Sequence, residues 1–225
     1  VQLLSVGVPG PLPYRDGSVQ SGFVKTPVSW VIRLGTEGLE GDEQADLQHH
    51  GGPDKAVCVY PGEHYPHWQQ RLGKPLGYAA FGENFTTSGL TEQDVCVGDV
   101  FKVGQAVVQI SQPRQPCFKL AARHAEPKLT LWVQESGLTG WYFRVLRPGD
   151  VRAGARLKLL ARPVDPVTIA EANRVMHRDK HDVPAIERLL GQEAISRSWR
   201  ATLEKRLLGQ LEDAAERLTG RQEHA

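Results

Sequence analysis

Ser111-Gln112-Pro113-Arg114-Gln115-Pro116-Cys117-Phe118-Lys119-Leu120 is the stretch on which the reading of this chain turns. The apolar run at 107–110 leads into it, and a helix-like run at 118–123 leads out. One cysteine therefore sits at a strand-to-helix corner, with Arg114 behind the sulfur and Lys119 and Arg123 ahead. Nearby positive charge and a helix N-terminus both favour a thiolate over a thiol. A thiolate so placed can act as a nucleophile or as a ligand for a soft metal. The plainer fate of a free cysteine is a small buried hydrophobe. That fate suits Cys58 and Cys96, each set in a valine-rich run.

Upstream of the corner the chain reads as short strands with many turns. Residues 1–8 form an opening strand, and 9–17 a loop too rich in Pro and Gly for regular structure. Strand formers at 28–34 are followed by Gly35, Gly38 and Gly41. The segment 46–55, Asp-Leu-Gln-His-His-Gly-Gly-Pro-Asp-Lys, is a polar loop, and 56–60 a buried strand. Tyr65, Trp68 and Leu72 share one face of a short helix at 64–72. Residues 95–97, 100–103 and 107–110 then make a meander with tight turns.

Downstream, 128–135 reads as a helix stopped by Gly137, 141–146 as a strand, 148–150 as a turn and 151–160 as a strand. The character changes at 162–166, where strands and glycines give way to three helical patterns. Thr168 with Glu171 has capping-box spacing, Asp182 can cap the second helix, and the third starts near Ser196. Trp199, Leu203, Leu207, Leu208 and Leu211 fall on one stripe of that third helix. About 60 residues alone would be marginally stable, so the helices are expected to dock on the main body.

The totals limit the function classes. A chain of 225 residues with a formal charge of +1 gives no electrostatic argument for nucleic acid or a membrane surface. No apolar run reaches the ~18 residues that span a bilayer. Three cysteines and no CxxC argue against a disulfide scaffold, and with no secretion-signal pattern the expected location is the cytoplasm.

Other clusters gain meaning beside Cys117. His49 and His50 precede two glycines that permit close approach of a ligand to the backbone, and Lys55 with nearby amides can hold a phosphate. Glu83 and Asn84 lie between Phe81 and Phe85, as polar residues turned toward a site would. Arg114 and Lys119 can bind a phosphate-bearing cofactor. Each cluster also has an ordinary reading as a surface loop, a turn or a solvated face. His64 and His67 have helix-face spacing but lack the HExxH zinc pattern.

Taken in order, 46–57, Phe81-Gly82-Glu83-Asn84-Phe85, Val97-Gly98-Asp99 and 111–120 resemble the MOSC family, in its YiiM-type branch. The resemblance covers roughly residues 1–162, and the tail resembles the three-helix domain of that branch. It implies an α+β chain: a β-rich, barrel-like MOSC domain at 1–162 and a three-helix domain at 163–225. It implies a molybdopterin-type molybdenum cofactor, with Cys117 as the metal ligand. The implied activity is reduction of N-hydroxylated small molecules, such as hydroxylaminopurines, hydroxylamines or amidoximes. By residue type, His49, Asp54 or Glu83 would deliver the protons and join Cys117 among the catalytic residues. His50, Lys55, Asn84, Arg114 and Lys119 would hold the cofactor. Electrons would come from a separate reductase, a flavoprotein, since the chain carries neither a dinucleotide fingerprint nor an iron–sulfur cysteine cluster. The active form would be a monomer or homodimer. Pyridoxal-phosphate binding is a further family-level association, though no lysine motif for it is evident.

Two other functions stay open at this point. One is a carrier of the cofactor or of sulfur on Cys117 without turnover. The other is a cysteine hydrolase with His49 or His50 as base, for which no local signature is present.

Overall fold

The computed structural model describes residues 1–220. Its centre is an eight-stranded sheet that curls into a half-barrel. The strands that build it are β1 (Leu3–Val6), β4 (Thr26–Val28), β7 (Val57–Pro61), β8 (Phe85–Thr87), β9 (Val100–Val103), β10 (Ala106–Pro113), β11 (Trp141–Arg147) and β13 (Leu157–Ala161). Their order is β13-β9-β10-β11-β7-β8-β1-β4, antiparallel throughout except for the parallel pair β7–β8. A small sheet, β12-β5-β6, joins β5 (Ile32–Gly35), β6 (Gly38–Leu39) and β12 (Gly149–Val151). This β-rich, barrel-like body followed by helices is the α+β architecture expected above.

Several local expectations need correction. The Pro/Gly-rich segment after β1 is not a loop: β2 (Gly10–Tyr14) and β3 (Gly17–Ser21) pair as a two-stranded hairpin. Pro11 and Pro13 are tolerated there because each strand has an open edge and donates few ladder bonds. The run expected as one strand at 28–34 is divided between β4 and β5. Residues 149–151 are strand rather than turn, and the expected strand at 151–160 is split between β12 and β13. Residues 95–97 are buried but make only an isolated bridge, Cys96 to Thr168, so Cys96 lies outside any strand.

The 46–55 segment is not all loop, since it holds a single helical turn, α1 (Leu47–His50); the longer helices cover the sheet at two levels. Beside the cysteine corner pack α2 (Tyr65–Leu72), α3 (Lys119–His124) and α4 (Leu129–Ser136), around Trp68, Phe81, Leu120, Leu129 and Val133. The tail carries α5 (Ile169–His177), α6 (Val183–Leu190), α7 (Arg197–Leu207) and a short α8 (Ala215–Thr219). Thr168, Asp182 and Ser196 cap α5, α6 and α7, each accepting a backbone N–H three residues on. Such caps stabilise a helix by about 1 kcal/mol each. Only half of the expected capping box forms, because Glu171 turns its carboxylate to Arg188. Ile169, Val175, Met176, Ile186, Leu189, Trp199 and Leu203 enter the same core as Val97, Ile110 and Trp141. The helices thus bury their apolar stripes against the sheet. The stripe stops at Leu203: Leu207, Leu208 and Leu211 are exposed, and buried Arg206 takes the next inward position, bound to the carbonyls of Val175 and Met176. Residues 221–225 of the expected helical unit lie outside the described residues. Among the described residues no helix is long and apolar enough to cross a membrane.

Candidate functional site

The cysteine corner is built by β10 and α3. A register shift between Ile110 and Gln112 bends β10 just before it ends. The displaced residue, Ser111, is tied on both sides: its hydroxyl donates to the Asp54 carbonyl (2.5 Å), and its carbonyl accepts the N–H of Ser196 (3.0 Å). The Arg114 N–H then bonds the Gly140 carbonyl (3.1 Å). The Cys117 carbonyl accepts from Thr130 of α4 (3.0 Å) and from the Leu120 N–H (3.0 Å). The turn between strand and helix is therefore fixed before any ligand is considered.

Cys117, Arg114 and Lys119 open onto one cleft of about 600 Å³, its mouth included. His50, Lys55 and Asn84 line it as well. Six of the residues expected at the site are thus gathered at one place. His49, Asp54 and Glu83, expected to deliver protons, are not among the lining residues. His49 is exposed, with Nδ1 on the Asp46 carboxylate (3.1 Å). Asp54 faces the other way, paired with Arg144 (2.7 Å) and accepting the Arg197 N–H (3.0 Å) at the start of α7. Glu83 is fully buried behind the cleft wall, accepting from Tyr65 Oη (2.5 Å), Thr86 Oγ1 (2.9 Å) and the Phe81 N–H (3.1 Å). Burial raises the Glu83 pKa, with the Tyr65 bond opposing the shift. These placements make Asp54 a clamp on the helical tail and Glu83 a brace for the aromatic cluster.

The electrostatics of the cleft centre on Arg114. Its side chain is only 4% exposed, Nη1 has no hydrogen-bond partner, and among the described residues the guanidinium makes no ion pair. The Phe23 ring lies 5.6 Å from the guanidinium. Burial disfavours this charge, yet the nearness of Cys58, Tyr142 and Cys117 outweighs it and raises the Arg114 pKa. Lys119, also buried, makes no ion pair among the described residues. Lys55 donates to the His49 carbonyl (2.5 Å), and burial lowers its pKa. Burial and the Lys119 charge push His50 down to about 3, so its ring is neutral at neutral pH.

The cleft also recruits residues that carried no signal in the sequence. Lys25 and Asp42 pair on its wall, and Asp42 further accepts from the Gly7 N–H (2.8 Å) and from Asn84 Nδ2 (2.8 Å). Asn84 is consequently a latch: its Oδ1 accepts the Cys58 N–H (3.0 Å) while Nδ2 also reaches the Ser5 carbonyl (3.2 Å). Gly22 lets the segment after β3 lie against the 42–46 loop, since a Cβ there would sit 2.1 Å from the Glu43 carbonyl. Gly82, at φ +73°, gives room to the Phe23 ring, 2.8 Å from where its Cβ would be. Tyr142 and Cys58, paired across β11 and β7, complete the floor. Burial pushes the Cys58 thiol up to about 11, with Arg114 opposing. Burial likewise raises the Tyr142 phenol. The alternation at the start of β11 could have pointed to Tyr142; the continuously buried β7 gave no such signal for Cys58, and nothing local could have pointed to Lys25 or Asp42.

His64 and His67 form no zinc site. His64 is buried against Glu92 (2.7 Å), and His67 is exposed. Among the described residues no group of three or more His, Cys, Asp or Glu side chains could hold a metal ion.

An unpartnered buried guanidinium, a buried lysine and a cysteine in one cleft are a donor set suited to an anionic group with a soft metal centre. Comparisons with known proteins show the family to which the chain belongs. The MOSC domain model matches residues 46–158, and the YiiM-like, 3-alpha helix domain model matches 167–210. The protein YflK of Bacillus subtilis (strain 168) is 51% identical over 203 residues, covering 90% of this chain and 92% of that one. A Gibberella moniliformis (strain M3125 / FGSC 7600) protein named "Reductase" is 34% identical over 164 residues, 71% of this chain but only 29% of that longer protein. The crystal structure of YiiM from Geobacillus stearothermophilus superposes with a TM-score of 0.79 at 40% identity, covering 92% of this chain and 97% of that one. MOSC domains as a family are associated with molybdenum-cofactor binding. With its cysteine corner, curled sheet and appended helices, this chain belongs to the MOSC family, in the branch that carries the YiiM-like three-helix domain.

Proposed function

We propose that this protein is a molybdenum-cofactor-dependent reductase of N-hydroxylated small molecules. The observation that carries the reading is the Arg114 guanidinium, buried beside Cys117 with Nη1 unpartnered. An uncompensated buried cation is costly, and it is retained where an anion is to be bound. Cys117 would be the protein's ligand to the metal. Arg114, Lys119 and Lys55 would hold the cofactor's anionic groups, and Asn84 would fix the wall they stand on. When bound, the cofactor would supply the two electrons that, with two protons, convert N–OH to N–H and water.

The chain's own residues supply position and protons. Tyr142 keeps its phenol proton through neutral pH, because burial raises its pKa, so a donor lines the cleft. His50 stays neutral, so its ring lines the cleft as a hydrogen-bonding group rather than as a base. Tyr142 would take over part of the proton delivery expected of His49, Asp54 or Glu83. A related segment lies within a longer protein named "Reductase", which supports a reductive role here. Electrons would then reach the site from a separate flavoprotein reductase.

The test is to purify the protein from cells supplied with the cofactor, measure molybdenum, and assay anaerobic reduction of a hydroxylaminopurine. The expected result is near-stoichiometric molybdenum and turnover in wild type, and neither in Cys117→Ala. A folded wild type that holds no molybdenum under these conditions would end the proposal.

A further inference from the structure

The short helix α8 is the last element described, yet it lies on the cysteine corner, about a hundred residues away in sequence. Its Arg217 grips both peptide groups that flank Cys117. Nη1 donates to the Pro116 carbonyl (2.5 Å), and the Arg217 carbonyl accepts the Phe118 N–H (2.8 Å). The other end of the guanidinium, Nη2, donates to Gln134 Oε1 on α4 (2.7 Å). The end of α8 is itself tied down: the Thr219 carbonyl accepts from both Tyr14 Oη and Arg15 Nη2 of the β2–β3 hairpin, each at 2.6 Å. Gly220, at φ +61°, lies flat on the Phe118 ring, 2.9 Å from where a Cβ would be. The hairpin and the tail thus converge on three consecutive residues, Pro116, Cys117 and Phe118.

We infer that Arg217 is a positioning residue for the site, holding the Cys117 turn in its geometry through Pro116 and Phe118. The inference rests on Cys117 being the functional group. The carbonyl of Pro116 and the N–H of Phe118 are backbone groups of a Pro-flanked turn, with no ladder to satisfy them. A charge-assisted bond from a guanidinium anchored at both ends supplies what a sheet or helix would supply elsewhere. Because α8 buries almost no apolar surface of its own, removing this grip should loosen the turn and leave the core intact.

The test uses the full chain without cofactor, so that it is independent of the proposed reaction. Amide hydrogen exchange is followed in wild type, Arg217→Ala, Arg217→Lys and Gln134→Ala, with thermal unfolding as the control. Arg217→Ala is expected to speed exchange in the 114–120 segment by about tenfold or more, the loss of two charge-assisted bonds, with the sheet unaffected. Arg217→Lys, which keeps the cation and a donor, should restore part of the protection. Gln134→Ala frees only one anchor and should give a smaller effect in the same segment. If Arg217→Ala fails to fold, Gln134→Ala decides. Unchanged exchange at 114–120, an equal rise throughout the chain, or Arg217→Lys no better than Arg217→Ala would overturn the inference.

Discussion

Replacing Arg114 with Met should make the cofactor-free protein more stable while removing its affinity for the cofactor. The guanidinium is 4% exposed with Nη1 unsatisfied. A buried donor without a partner costs about 1–3 kcal/mol. Two of the groups that raise the Arg114 pKa do not relieve this at neutral pH: Cys58 titrates only near 11, and the Tyr142 phenol is pushed up as well, so both are uncharged. Against that cost stands the Phe23 contact, worth about 0.5–2 kcal/mol for a partly desolvated cation over a ring. Methionine fills a similar unbranched volume and keeps the contact with the ring. The net expectation is a gain of about 1 kcal/mol, which for a chain of this size is a rise of about 2–4 °C in Tm. Differential scanning calorimetry of the two cofactor-free proteins measures it. Molybdenum analysis of cofactor-supplied cells should show the variant nearly empty. A variant that melts several degrees below wild type without cofactor would refute the reasoning, because Arg114 would then be a structural cation rather than one held ready for an anion.

Three further outcomes follow from the same structure. Asn84→Ala leaves the buried Cys58 N–H without its acceptor and frees the Ser5 carbonyl and Asp42, so unfolding in urea should show a loss of about 2–4 kcal/mol. His177 is pushed down to about 3 by burial and by Arg217, with Nε2 unpartnered. Its folded pKa lies below the unfolded value near 6.5, so the unfolded chain takes up a proton first as pH falls. Stability contributed by its neutrality is therefore full above about 6.5 and lost on the way down to 3; His177→Gln should flatten Tm against pH across that window. Asp54→Asn weakens the pair with Arg144 and the bond to the start of α7, so faster amide exchange in residues 196–200 is expected, with cofactor content unchanged.

Much of this arrangement was legible before the structure, and the reasons for the rest are physical. The corner at 111–120 could be read because two prolines, a cysteine and a change of period from strand to helix fall within ten residues. Caps at Thr168, Asp182 and Ser196 are local chemistry and were read from local sequence. The β2–β3 hairpin was missed because prolines veto an interior strand but not an edge one. Leu208 and Leu211 lie past the end of α7, where helical phase no longer applies, and Leu207 yields the inward place to Arg206. Glu83 and Asp54 were expected in the site because acidic residues among motif positions suggest proton transfer. Their partners, Tyr65 and Arg144, come from other elements, and no sequence spacing announces such pairs. Lys25 and Asp42 were overlooked for the same reason: each acquires its role only when the segment after β3 meets the 42–46 loop.

The cations of the cleft come from separate parts of the chain, and this bears on how folding and binding are linked. Lys25 follows the hairpin, Lys55 closes the turn before β7, and Arg114 and Lys119 stand on either side of Cys117. Among the described residues, Lys25 alone of these has a carboxylate partner within ion-pair distance, Asp42. In the unfolded chain these charges are hydrated; folding brings the four cations around a cleft lined by three carboxylates, Asp42, Glu43 and Asp46. That assembly opposes folding until an anion arrives, so the bound anion must stabilise the native state by mass action. The same repulsion that weakens the empty protein strengthens its hold on a phosphate-bearing ligand, because binding relieves it at several positions at once. Neutralising any one of Arg114, Lys119 or Lys55 should therefore reduce the Tm gain on cofactor loading by more than it changes the Tm of the cofactor-free protein. Equal shifts in both states would mean that the cations stabilise the fold and that the anion is held by something else.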